Sequence, residues 1–225
     1  MARIPRAQQI IAGVPHHVIL RGNNRRRLFS YENECRLFVE FLRKAIEKTR
    51  IKIHSLGLLP NHVHLLGTPL DAPSLSNCIK DVSQRYARHR NIRRQSHGKL
   101  FEERFFSVPI QSDEHLAIVT AYIDLNAVKD GYPEDGLWHR WSTFGIHTGR
   151  NSLFRVDPEI WTPSDWYTSL GTTQANRQSA YESFAREYLE HKKGIGYLQK
   201  LEARWKLENG RVGRRFERPD RSSAL

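Results

Sequence analysis

The sequence predicts an α+β fold with the element order β-α-β-β-α-β-α, and three observations lead there. Four β-rich runs, bounded by Gly, Pro or Asn, fall within the first 111 residues. Three stretches carry apolar side chains at three- and four-residue spacing. A two-residue break, Pro60-Asn61, separates two of the β runs and makes them a hairpin.

Val14 to Arg21 reads as the first strand, ended by Gly22-Asn23. From Glu32 to Arg50, Cys35, Phe38, Phe41, Leu42, Ala45 and Ile46 form an apolar stripe opposite Lys, Arg and Glu, which is an amphipathic helix. Ile51–Leu59 and His62–Thr68 are the hairpin strands. Pro73 and Ser74 open a helix that runs to Arg94 with Leu75, Ile79, Val82 and Tyr86 as its stripe, and Gly98 follows its end. Phe105–Gln111 is the fourth strand. Ser112-Asp113-Glu114 is an N-cap signature for a helix to Val128, whose stripe is Leu116, Val119, Ile123 and Ala127. The first six elements form the split-βαβ, ferredoxin-like arrangement: an antiparallel sheet with helices on one face and the other face open. Further helices are predicted at 158–170, 177–192 and 194–207. The layout is thus a domain of residues 1–145, a helical C-terminal extension of 146–209 and a basic tail of 210–225.

The chain has 225 residues, 36 Lys+Arg against 24 Asp+Glu, and a net charge of +12. Residues 1–104 hold 20 basic and 8 acidic side chains, residues 105–185 hold 5 and 10, and residues 186–225 hold 11 and 6. A polyanion therefore meets the first half and the tail. Arginine dominates the dense runs, Arg21 with Asn23, Asn24, Arg25, Arg26 and Arg27, then Arg85, Arg88, Arg90, Arg93 and Arg94. Its planar fork suits phosphate oxygens and stacks on bases, so nucleic acid is favoured over a membrane surface. No apolar run is long enough for a spanning helix, and the first residues lack the apolar core of a secretion signal, so the expected location is cytoplasmic, associated with the nucleoid. Cys35 and Cys78 lie far apart without a Cys-x-x-Cys motif, which argues for buried thiols.

His62-Val63-His64 lies on the third strand, where alternation sends both imidazoles to the open face and Val63 beneath the helices. The pair can share a divalent cation or be ordinary surface and hydrogen-bonded histidines. Tyr122 and Asn126, four residues apart on the next helix, share a face bordering its apolar stripe, so Tyr122 is either an edge-of-core aromatic or a phenol aimed at the histidines. His16 and His17 point to opposite faces and read as structural, and Trp138 and Trp141 as a packed cap.

Pro60-Asn61-His62-Val63-His64-Leu65-Leu66 followed by Tyr122-Ile123-Asp124-Leu125-Asn126-Ala127-Val128 resembles the single-tyrosine HUH transposases of the insertion-sequence type, particularly the REP-associated tyrosine transposases. Supporting stretches occur in the family's order: Gly13 to Val18, Arg21 to Arg25, Gly98 to Phe105 and Trp138 to Thr143. Ala127 replaces the family's usual proline, and Lys129-Asp130-Gly131 a commoner Arg-Ala-Gly. The resemblance implies a single-stranded DNA nickase and strand transferase with Tyr122 as nucleophile. It further implies His62, His64 and Asn126 as ligands of Mg²⁺ or Mn²⁺, and a substrate of hairpin-forming palindromic repeats. Arg21, Asn23, Asn24, Arg25, Arg26, Arg85, Arg88, Arg93, Arg94 and Arg104 are the candidate DNA contacts, for a monomer or a homodimer. The alternative is a noncatalytic DNA- or RNA-binding regulator on the same fold. That reading predicts exposed aromatics on the central strands, where this chain places histidines.

Overall fold

The structure, a computed structural model, describes residues 9–102, 105–126, 140–150 and 160–190. Its sheet contains β1 (His16–Arg21), β2 (Lys52–Leu59), β3 (His62–Thr68) and β4 (Phe106–Pro109). The spatial order is β2-β3-β1-β4 and all three pairings are antiparallel. Each of the helices α1 (Glu32–Thr49) and α2 (Ala72–Arg93) therefore joins two strands that run the same way with a third between them. Asp71 caps α2 by accepting a hydrogen bond from the Ser74 amide at 2.8 Å.

Alternation along the strands divides the side chains between two faces. Val18, Leu20, Leu56, Leu58, Val63 and Leu65 face α1 and α2, where they meet Phe38, Leu42, Ala45, Leu75, Ile79, Val82 and Tyr86 in the main core. Trp141 joins this core, as a packed cap requires, while Trp138 lies outside the described residues. Leu66 belongs to the other face and packs against Leu116, Val119 and Ile123 of α3 (Asp113–Asp124). Ser112 caps α3 through the His115 amide.

On the outer side of α3, Ala121 and Leu125 pack against α4 (Phe144–Thr148), α5 (Asp165–Ser169) and α6 (Gln174–Glu190) through Phe144, Tyr167, Tyr181 and Ala185. Thus α3 is held between the sheet and the C-terminal helices. The open edge of β2 is lined by backbone from this same region. Leu58 donates to the Trp141 carbonyl, Thr143 donates to the Leu56 carbonyl, and Thr162 donates to the Ile53 carbonyl.

Two helices differ from their sequence expectation: α3, expected to reach Val128, ends at Asp124 with Leu125 as its C-cap, and the segment at 158–170 is shorter than expected. Of the 158–170 segment only Asp165–Ser169 is α-helical among the described residues, and Trp161 bridges to β2 at Ile53. Pro163 disfavours helical backbone at Thr162, and Ser164 then starts a new helix by capping the Tyr167 amide. The predicted helix at 194–207 and the tail at 210–225 lie outside the described residues. No helix of the described residues is long and apolar enough to cross a membrane.

Candidate active site

His62 and His64 stand on the α3 side of β3, with ring centroids 4.8 Å apart and planes nearly perpendicular. His62 is half-buried and its Nδ1 lies 2.6 Å from Asn61 Oδ1. An amide oxygen only accepts, so Nδ1 carries the proton and Nε2 is the lone-pair nitrogen. His64 is buried, and its Nδ1 is 2.9 Å from Nε2 of His17 on β1, the two rings stacked at 5.2 Å. Burial, with the nearby His115 adding to it, pushes the His17 pKa down to about 3, so this imidazole is neutral near pH 7. One neutral ring must then donate and the other accept. With His64 Nδ1 as the donor, Nε2 is its lone-pair nitrogen, while donation from His17 would leave the proton on His64 Nε2.

Sequence reasoning placed His16 and His17 on opposite faces, and they are. His16 accepts from the Ile11 amide, pairs with Ser107 Oγ at 3.0 Å and is structural. His17 was grouped with it but belongs to the site. The missing signal was the β1–β3 register, which sets His17 opposite Leu66 and two pairs from His64 on the same face.

Tyr122 brings its half-buried ring edge-on to both imidazoles, 5.3 Å from His64 and 5.9 Å from His17 between centroids. Gly57 makes this approach possible. It is the β2 partner of His64, and a β-carbon there would lie 3.0 Å from the Ile123 carbonyl oxygen. A glycine lets the last turn of α3 come this near the strand, where a larger residue would have to push the Ile123 carbonyl back. Asn126 lies two residues past the end of α3, buried, and its Nδ2 has no hydrogen-bond partner among the described residues.

Among the described residues no three His, Cys, Asp or Glu side chains gather into a metal-holding group. A cation here would rest on two imidazoles and complete its shell with oxygen. The donor set fits that demand. Asn126 adds a buried carboxamide whose oxygen is a hard donor of the kind such a shell needs, and the imidazole pair suits Mn²⁺ more than Mg²⁺.

Of the expected DNA contacts, Arg21 is the best placed. It is exposed, pairs across the sheet with His62 on the same face, and its backbone is tied to Asn61 and Phe101 through Gly22 and to Glu102 directly. The loop continues as a 3-10 turn, Asn23–Arg25, in which Asn24 and Arg25 take left-handed φ values of 54° and 56°. Two such residues in succession are costly for side chains other than glycine. Asn24, Arg25 and Arg26 are exposed and Asn23 half-buried.

The α2 arginines lie behind the sheet, on the side away from the histidines. Arg88 and Arg93 are exposed, Arg85 pairs with Asp81, and Arg94 pairs with Glu34 at 2.7 Å. Arg90 is buried and donates to the Arg27 carbonyl at 2.6 Å, which fixes the end of α2 to the arginine loop. Arg104 lies outside the described residues.

The sequence profile of the family described as "Transposase IS200 like" matches residues 11–126, the stretch that contains the histidine pair, Tyr122 and Asn126. The chain belongs to the IS200-like transposase family. Membership makes it an enzyme of DNA cleavage and strand transfer. Among solved structures, this transposase is similar to a REP-associated tyrosine transposase bound to a REP hairpin. The TM-score is 0.55 and the identity 18%, over 73% of this chain and 93% of that one, a likeness of fold. A candidate transposase from Deinococcus radiodurans R1 aligns with a TM-score of 0.38 and 16% identity, over 62% of this chain and 100% of that one. No curated protein matches the sequence.

Proposed function

We propose that this transposase cuts and rejoins single-stranded DNA beside hairpin-forming repeats through a covalent bond between Tyr122 and a 5′ phosphate. The observation that carries the proposal is the edge-on packing of the Tyr122 ring against His64 and His17. A helix on the open sheet face has brought a phenol to an imidazole pair, although Tyr122 and His64 are far apart in sequence.

In the proposed step Tyr122 Oη attacks the phosphorus and the P–O3′ bond breaks. The phenol proton leaves, and the 3′ oxygen departs as a hydroxyl after taking up a proton. A phenol with an ordinary pKa near 10 is a weak nucleophile at pH 7, and a phosphodiester repels anions, so positioning and charge neutralisation do most of the work. His62, His64 and Asn126 would hold Mg²⁺ or Mn²⁺, which when bound supplies Lewis-acid polarisation of the phosphate. Arg21, beside His62, binds the approaching phosphate oxygens, and the left-handed Asn24-Arg25 turn projects further cationic and amide groups at the same end of the sheet. The phosphotyrosine keeps the energy of the broken bond, so a second 3′ hydroxyl can reverse the step and join, with no nucleotide cofactor.

The hairpin substrate is carried over from the solved relative and is consistent with the net charge of +12. The test is a hairpin oligonucleotide with a single-stranded flank, incubated with the protein and Mn²⁺ or Mg²⁺ and run on denaturing gels. A protein–DNA adduct is expected from the parent and none from Tyr122→Phe. Equal adduct from both assigns the nucleophile elsewhere, and hairpin binding without any adduct supports the noncatalytic regulator.

A further inference from the structure

The family profile ends at residue 126, yet the nucleophile helix is not held by that stretch alone. Asp124, two residues beyond Tyr122, is fully buried and faces the C-terminal helices. Its Oδ1 accepts from Thr143 Oγ1 at 2.6 Å, and its Oδ2 accepts from His147 Nδ1 and Tyr181 Oη, each at 2.6 Å.

Each donor is itself anchored. The Leu56 amide of β2 donates to Thr143 Oγ1 at 3.0 Å, one residue from Gly57, the partner of His64. Trp161 Nε1 donates to His147 Nε2 at 3.2 Å and to the His54 carbonyl at 2.9 Å. Tyr167 Oη donates to the His147 carbonyl at 2.9 Å. Tyr181 is completely buried in α6, and burial together with the Asp124 charge holds its phenol in the protonated, donating form.

We infer that Asp124 is a positioning residue, through which α4, α6 and strand β2 lock the last turn of α3 so that Tyr122 stands over the histidine pair; the C-terminal helices thereby complete the active site. The inference rests on the proposed role of Tyr122 and deepens it.

Two features support it. A carboxylate buried this deeply is tolerated only when fully supplied with donors, so the network has one strongly preferred arrangement. Ala121, Asp124 and Leu125 form the outer stripe at the end of α3, so fixing that stripe holds the last turn from which Tyr122 projects. The same α6 also reaches the nucleophile's neighbourhood: Tyr188 has its pKa raised by burial and by the proximity of Tyr122.

The experiment uses the full chain with Tyr181→Phe, which removes one donor and keeps the ring, and Val39→Ala in α1 as a control that loosens the core away from α3. Single-turnover adduct formation is measured at saturating hairpin alongside hairpin Kd, Tm and the ¹⁹F resonance of 3-fluorotyrosine at position 122. Tyr181→Phe should slow adduct formation about tenfold or more with Kd within about twofold, and should shift or broaden the ¹⁹F signal. Val39→Ala should lower Tm and change neither rate nor resonance. An unaltered rate and resonance in folded Tyr181→Phe overturns the inference, as does a loss of rate that only follows Tm in both variants. Thr143→Val, which strips the other carboxylate oxygen of its donor, takes the place of Tyr181→Phe if that variant does not fold. If the parent forms no adduct the nucleophile reading fails, and the ¹⁹F comparison still decides whether Asp124 fixes the residue.

Discussion

The two faces of the one sheet are built from the same strands and differ in every respect that matters for function. Towards α1 and α2 the strands present Val18, Leu20, Leu56, Leu58, Val63 and Leu65, an apolar layer in a continuous core. Towards α3 the alternate positions present His17, Arg21, Gly57, His62 and His64, with Ile19 and Leu66 between them. The first face buries mainly hydrocarbon, with His16 hydrogen-bonded to Ser107 at its end, and stabilises the fold. The second buries imidazoles, which costs solvation, and its cover is a single helix brought in over a glycine. Stability and chemistry are separated by one residue of register.

Neighbouring substitutions on β3 should split this contrast most widely. Leu65→Ala should destabilise the fold by roughly 2–5 kcal/mol and leave adduct formed per folded molecule unchanged, read by urea denaturation and the gel assay. His64→Ala should cost less stability yet reduce adduct formation by at least about 100-fold, since several kcal/mol of charge stabilisation is removed. If the two variants lose activity in proportion to their stability, the faces are not functionally distinct.

Acid should expose the cost of burying imidazoles. The His16 pKa is lowered from 6.5 to about 4 by burial, so between those values the unfolded chain binds a proton that the folded chain refuses. Its contribution to stability is complete above pH 6.5, shrinks as pH falls and is gone below about 4. For this residue alone the loss is on the order of 3 kcal/mol. His54 and His115 are lowered in the same direction by burial and steepen the trend. Denaturation midpoints from pH 7.5 to 4.5 measure it, and His16→Asn should flatten the slope. A pH-independent midpoint would show that the buried imidazoles carry no such penalty.

The smallest effect belongs to the arginine loop. Glycine tolerates the left-handed φ of 56° at position 25 better than arginine does. Arg25→Gly should therefore keep or slightly raise Tm while weakening hairpin binding about three- to tenfold at low salt. Unchanged affinity would remove Arg25 from the DNA contacts.

How much of this could be read from the residues follows from the range of the interactions. β3 was legible to its ends because Pro60-Asn61 punctuates it and alternation marks its faces. Tyr122 was legible on a helix after the fourth strand because helical spacing is local, but the helix stops at Asp124, before Asn126. His17 was not, because its partner is 47 positions away and only strand register brings them together. Asp124 gave no signal, since its donors come from positions 143, 147 and 181 and no short pattern links them. The α2 arginines were counted as one basic run, but Arg90 is directed inward to a backbone carbonyl and Arg94 to Glu34. Composition reports charge and is blind to which way it points.

The backbone bonds from Trp141, Thr143 and Thr162 to β2 have a consequence for assembly. They occupy a row of amides and carbonyls that would otherwise act as a template for another chain's strand. Copies of this protein cannot extend the sheet from that side without peeling the segment away. Because Thr143 also holds Asp124, such peeling would unsettle the proposed nucleophile, Tyr122, in the same event.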